Sequence, residues 1–232
     1  MEAHWNELES VDSTNRVAEE AARSGSPEGT VVLARRQTAG RGRRYHTWHS
    51  PEGGLWFSVV LRPPRVEGLS LLAGLACVGA LAELGVPTEL RWPNDLYARD
   101  RKLAGILVES RLLGTRPEYA VVGIGLNVNN TDFPPDVPGI SLKELAGREL
   151  DRHQVLRGIL RRLEADLEAY GREGLAPFLG RLRAAMGMPD RVVQIFLDEG
   201  PRTARPVDLE PDGTLILEDG TRLTSVEQVR PA

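Results

Sequence analysis

Residues Arg35–Leu61 read RRQTAGRGRRYHTWHSPEGGLWFSVVL, and two kinds of chain meet inside them. Gln37 to Trp48 is a loop by composition: Gly40 and Gly42 stand among arginines and no apolar period runs through it. Leu55 to Leu61 is a strand, because Trp56, Phe57, Val59, Val60 and Leu61 are aromatic or branched and too few for a helix. Glycine lets the backbone take positive φ and come close to a ligand. Arginine forks offer paired donors to phosphate or carboxylate. The Ala39-Gly40-Arg41-Gly42-Arg43-Arg44 loop, running into a rigid strand, therefore has the make-up of an anion clamp; a solvated basic turn is the competing description.

Upstream of it, Val11-Asp12-Ser13-Thr14-Asn15 precedes Val17, Ala18, Ala21 and Ala22 at helical spacing. Asp12, Ser13 or Thr14 caps that helix and Gly25 ends it. The polar cluster is either this cap alone or a set of hydroxyl and amide groups that meets a ligand. Thr30–Ala34 is a short strand leading into the loop.

Downstream, Leu69–Leu84 is apolar on nearly every face and predicts a helix buried against a sheet. Thr88–Trp92 and Leu96–Ala98 are strands around the turn Pro93-Asn94-Asp95. A second turn at Asp100-Arg101 makes Leu96–Glu109 a hairpin, and Glu118–Val128 is another buried strand. Phe133–Gly139 is a Pro-rich surface loop and Ser141–Ala146 a short helix. Val155, Leu156, Ile159, Leu160, Leu163, Leu167 and Tyr170 mark an amphipathic helix, with a further one at Gly174–Met186. At Gly187-Met188-Pro189 the character changes. Arg191–Leu197, Ala204–Leu209, Leu215–Leu217 and Arg222–Ser225 read as short strands between Pro-Asp-Gly and Glu-Asp-Gly turns. Residues 1–187 thus form an α+β domain, mixing strands and helices without strict alternation, and residues 188–232 a small all-β, barrel-like module.

Composition narrows the function. With 41% apolar residues the 232-residue chain can build a real core. Its net charge is −4 and its pI about 5.7, so there is no global basic field for nucleic acid. Cys77, the single cysteine, excludes an intrachain disulfide and a Cys metal cluster, and its apolar surroundings make it a buried structural thiol. No run of 18 apolar residues predicts a membrane span. The start, MEAHWNELES, has no basic n-region or apolar h-region, so the expected location is cytoplasmic. Of 29 basic residues only Lys102 and Lys143 are lysines, leaving 27 arginines.

Five motifs in order resemble the biotin–protein ligases over nearly the whole chain. They are Asp12-Ser13-Thr14-Asn15, Gln37–Arg43 with Trp48, Arg91-Trp92-Pro93-Asn94-Asp95, Lys102–Glu109 and Gly123-Ile124-Gly125-Leu126-Asn127-Val128. The resemblance implies a mixed-sheet, biotin/lipoate ligase-like catalytic domain followed by an SH3-like C-terminal domain. It also implies a reaction: biotin and ATP-Mg give biotinyl-5′-AMP, whose biotinyl group passes to a lysine of the biotin carboxyl carrier protein domain of a carboxylase. On that likeness Ser13, Thr14, Asn15 and Gln37 line the head end of a biotin site. Gly40, Arg41, Gly42 and Arg43 close over the biotin carboxylate and the α-phosphate, and Gly105 leaves room for the ligand. Arg41, Arg43, Arg44, Trp48, Asn94, Lys102 and Asn127 become the ATP contacts, with Lys102 also touching biotin. Lys102, Arg43 and Asp95 carry the chemistry. Mg²⁺ is held mainly by ATP phosphates, with Asp95 either helping to hold it or orienting the incoming lysine.

The chain departs from the family pattern at His46 and Thr47, where relatives often carry basic residues, and at Arg91, which replaces a common lysine. Some members also repress transcription through an N-terminal winged helix-turn-helix. Here the Ser13-Thr14-Asn15 cluster falls within the first fifteen residues, so the expectation is an enzyme without regulatory DNA binding. A lipoate or octanoate ligase of the same fold is the alternative activity, and a homodimer stays open.

Overall fold

The computed structural model describes residues 5–114, 116–135, 138–197, 200–224 and 228–231. A mixed sheet is built from β1 (Trp5–Val11), β2 (Val31–Gln37), β3 (Leu55–Leu61), β4 (Glu89–Arg91), β5 (Asp95–Ala98), β6 (Arg101–Leu113) and β7 (Arg116–Leu126). The spatial order is β1-β2-β3-β7-β6-β5-β4. Only β1 and β2 run parallel in this sheet, joined by the crossover helix α1 (Thr14–Arg23). Every residue of β3 is buried, which is why it shows no alternation. The predicted buried helix is α2 (Leu69–Glu83), which packs on one sheet face. Behind it lies the amphipathic α4 (Arg152–Glu173), whereas α3 (Leu142–Ala146), with a Ser141–Glu144 capping box, is hydrogen-bonded to Asn127 and Val128 just past β7. On the other face α1 sets Ala18 and Ala22 against Val32, Val60, Tyr119 and Val121.

Past α5 (Leu179–Ala185) the chain turns to short strands: β8 (Val193–Leu197), β9 (Gly200–Ala204), β10 (Pro206–Leu209), β11 (Leu215–Leu217), β12 (Arg222–Leu223) and β13 (Gln228–Pro231). They form two three-stranded antiparallel sheets, β10-β11-β12 and β13-β8-β9. Val193, Ile195, Leu209, Leu215 and Leu217 join the same apolar cluster as α2 and α4. Among the described residues no helix is long and apolar enough to cross a membrane.

Several boundaries differ from the expectations. The edge strand β1 was not foreseen, and the predicted Thr30–Ala34 strand runs on to Gln37. The second hairpin turn is Arg99-Asp100, both at positive φ (49° and 57°), so Arg101 already belongs to β6. The Ala204–Leu209 strand is two strands in different sheets, because Pro206 cannot donate to a continuing ladder. The Gly174–Met186 helix is a 3₁₀ turn at Ala176–Phe178, containing Pro177, followed by α5. Of the expected Arg222–Ser225 strand, Ser225 lies outside the described residues, as do positions 136 and 137 of the Phe133–Gly139 loop.

Candidate active site

The strand ends and the clamp loop meet in a cavity of about 410 Å³, within the range of small-molecule sites. The parallel β1–α1–β2 connection brings the start of α1 to the end of β2. Ser13, Thr14 and Asn15 are buried there. The backbone N–H of Thr14 donates to Gln37 Oε1 (2.8 Å), and Gln37 Nε2 donates to Ser50 Oγ (2.8 Å). Ser58, fully buried in the middle of β3, places its hydroxyl 2.8 Å from Thr14 Oγ1 and 2.6 Å from Asn15 Oδ1. Asn15 Nδ2 donates to Glu109 Oε2 (2.8 Å).

The β6–β7 register gives the cavity two ends. Gly123 pairs with Leu107 near this polar cluster, and Gly125 pairs with Gly105 two residues along. At the Gly105–Gly125 end Lys102 Nζ meets Asp95 Oδ2 at 2.6 Å, and Arg43 Nη1 lies 3.4 Å from Asn94 Oδ1. Asn94 Nδ2 in turn donates to Ile106 O, fixing the turn on β6. Burial, and then the neighbouring Arg44, lowers the Arg43 guanidinium from its usual value, while Asp95 acts in the opposite sense; an arginine so shifted stays charged. Arg41 points to the other end, where its Nη2 is 2.8 Å from Glu109 Oε2.

Trp48 covers the floor between. Its ring centroid is 5.3 Å from Lys102 Nζ and 6.4 Å from that of Trp56, edge to face. The indole Nε1 is buried with no hydrogen-bond partner among the described residues. A Cβ at Gly125 would run into Trp48, and one at Gly123 into Asn15 Oδ1, so both glycines are there for close approach.

Of the predicted residues, Ser13, Thr14, Asn15, Gln37, Arg41, Gly42, Arg43, Trp48, Asn94, Asp95, Lys102 and Gly105 line this one cavity. Gly40, Arg44 and Asn127 do not. Gly40 is buried behind the wall, where a side chain would strike Trp48 O and Ser50 Oγ. Arg44 takes a left-handed turn (φ 48°). Asn127 donates through Nδ2 to Lys102 O (3.3 Å) and lines a neighbouring cavity of about 60 Å³ with Trp48, Lys102 and Phe133. Sequence reasoning gave no role to Ser58, Glu109, Gly123 or Gly125. Their signals were a lone hydroxyl in an apolar strand, the acid closing Lys102–Glu109, and a Gly-x-Gly inside a buried strand.

The comparisons with known proteins fit this geometry. A sequence profile described as the Biotin/lipoate A/B protein ligase family matches residues 7–127. The chain belongs to the biotin/lipoate A/B protein ligase family. The match runs from β1 to Asn127 and so contains every predicted site residue. Relatives in the family extend the likeness. The bifunctional ligase/repressor BirA of Bacillus subtilis is 36% identical over 219 residues, covering 90% of this chain and 67% of that protein. The biotin–[acetyl-CoA-carboxylase] ligase of Mycobacterium tuberculosis is 39% identical over 175 residues, 69% of this chain and 64% of that one. Among solved structures, the biotin protein ligase of Aquifex aeolicus in complex with biotin and ATP superposes with a TM-score of 0.84 at 33% identity, covering 98% of this chain and 99% of that one.

Proposed function

We propose that the protein is a biotin–protein ligase. A biotin carboxylate oxygen attacks the α-phosphorus of ATP, an acyl–phosphate bond forms and pyrophosphate leaves. The neutral amine of a carrier-domain lysine then attacks the acyl carbon, forming an amide and releasing AMP. The observation that carries this reading is a single cavity with the hydroxyls and amides of Ser13, Thr14, Asn15 and Gln37, tied to the Arg41–Glu109 pair, at one end and Lys102 and Arg43 at the other. A ureido ring needs neutral donors and acceptors. Two approaching anions need cations to offset their repulsion.

Ser13, Thr14, Asn15 and Gln37 would receive the ureido head, and Gly105, Gly123 and Gly125 let Asn15 and the Trp48 ring lie close against the sheet beside the bicycle. Lys102 and Arg43 would neutralise first the carboxylate and then the charge developing on phosphorus. Trp48, next to Lys102, would offer its ring to the nucleotide base, with Asn127 lining the adjoining cavity. For Mg²⁺, Asp95 is the carboxylate that lines the cavity. Among the described residues no group of three His, Cys, Asp or Glu gathers to hold a metal. One carboxylate already paired with Lys102 suits an ion that arrives on the phosphates of ATP, rather than a cage made by the protein. The acceptor is the carrier domain of a biotin-dependent carboxylase, and the work is cytoplasmic.

The test is biotin-dependent pyrophosphate release, beside calorimetric titration with biotin and with lipoate. Release with biotin, and binding of biotin over lipoate, is the expected result. Preferential binding and activation of lipoate would overturn the reading.

A further inference from the structure

Glu109 lies at the junction of two features that the ligase reading treats separately. Its Oε2 accepts from Asn15 Nδ2 and from Arg41 Nη2, each at 2.8 Å. Asn15 belongs to the head-end cluster on α1, and Arg41 to the clamp loop, so one carboxylate oxygen of β6 ties the two together. The amide of Asn15 is held on three sides: Glu109 takes its N–H, Ser58 Oγ lies 2.6 Å from its carbonyl oxygen, and Gly123 backs it without a side chain. The orientation of an asparagine amide is set by such partners. Without the carboxylate the Nδ2 keeps only a long contact to Leu107 O (3.4 Å). Arg41, meanwhile, is drawn toward the head end rather than toward Lys102 and Asp95.

We propose that Glu109 is a positioning residue for biotin: it sets the Asn15 amide that reads the bicyclic head and docks Arg41, and with it the clamp loop, over that end of the cavity. The proposal rests on the biotin-ligase reading. It does not place Glu109 on the reacting atoms, so its effect belongs to biotin binding and not to the adenylation step or to the nucleotide. A residue needed only for folding would weaken binding of both substrates and lower the melting temperature.

Glu109→Gln and Glu109→Ala separate the contributions. The glutamine keeps a neutral acceptor for Asn15 and loses the charge that holds Arg41, whereas the alanine loses both. Pyrophosphate release is measured with biotin and ATP varied in turn, with a thermal melt of each variant. We expect Glu109→Ala to raise KM for biotin about tenfold, the scale of one lost charge-assisted hydrogen bond, with Glu109→Gln between it and wild type. KM for ATP and kcat should stay within about twofold in both variants, because binding lost equally from the ground and transition states leaves kcat unchanged. An unchanged biotin KM in both folded variants would overturn the proposal and leave the ligase reading intact. Equal damage to biotin and ATP parameters would overturn it in favour of a general structural role. Absence of biotin-dependent release from the wild-type protein would remove the reading on which it rests.

Discussion

Lys102 is one of two lysines among 29 basic residues, and it follows Arg101 directly. Arginine supplies 27 of these 29 cations, so a positive charge alone seldom calls for lysine in this chain. The ammonium is a compact point charge; here it sits against Asp95 Oδ2 and beside the Trp48 ring, where a planar fork would need a different cavity. Lys102→Arg keeps the charge, yet it should lower biotin-dependent pyrophosphate release by about 10²-fold or more, the scale of one preorganised electrostatic donor. Near-wild-type release from a folded Lys102→Arg protein would refute the assignment. Gly125 gives a second test at this scale. Because a methyl there meets the Trp48 indole, Gly125→Ala should displace that ring and raise KM for ATP while the melt is little changed. Cys77 gives a third. Burial pushes its thiol up to about 12, so it stays protonated and shielded at neutral and mildly alkaline pH. A thiol-specific disulfide reagent at about pH 8, just below the ordinary cysteine range, should label it only as the protein unfolds. Labelling of the folded chain would show that the core opens at α2.

Among the elements, the clamp loop has the most distinctive construction. Its base is pinned by Gln37 N donating to Ser50 O and Trp48 N to Gly40 O, and its tip folds back through Gly42 N to His46 O. The arginines thus sit on a short, twice-fastened finger. Biotin with ATP should hold that finger down and slow tryptic cleavage at Arg41, Arg43 and Arg44; equal cleavage with and without ligands would count against the clamp. The finger was readable in the sequence as glycine and arginine without apolar period. β3 and α2 were readable too, because both are long, apolar and buried on nearly all sides. β1 was not: its WNELESV carries charge, and it owes its conformation to parallel pairing with a strand twenty-six residues on, Trp5 against Val31. The slip at Arg99-Asp100 has a similar origin. Both residues are left-handed, a conformation that aspartate tolerates but arginine rarely adopts, so Arg99 carries no turn signal of its own. Ser58 and Glu109 stayed illegible as site residues because their meaning lies in contacts with Asn15, 43 and 94 positions away.

At the scale of the whole molecule, the C-terminal strands are less separable than their composition suggests. Their apolar side chains share one cluster with α2 and α4. Trp92 Nε1 donates to Gly213 O (2.8 Å), so the turn carrying Asn94 and Asp95 is braced from the C-terminal side. Arg191 pairs with Glu89 and lies 3.1 Å from Asp100, which also receives Arg91 (2.7 Å). Trp92→Phe keeps an aromatic ring there but removes the donor and the second ring of the buried indole. It should cost about 2–3 kcal/mol, hence about 5–10 °C in Tm, and slow adenylation several-fold. An unchanged rate at the lowered Tm would mean that the brace serves stability alone. The sheet's two margins carry a further consequence. An open strand margin is a template on which another chain can add a strand. β4 is only three residues long and is straddled by Arg191, whereas β1 runs for seven and presents Glu7 and Glu9 to water. The concentration at which the folded protein stays dispersed should therefore depend on two carboxylates at one rim more than on its core. A chain carrying Glu7→Val and Glu9→Val should melt near the wild-type temperature and yet scatter light from a more dilute solution.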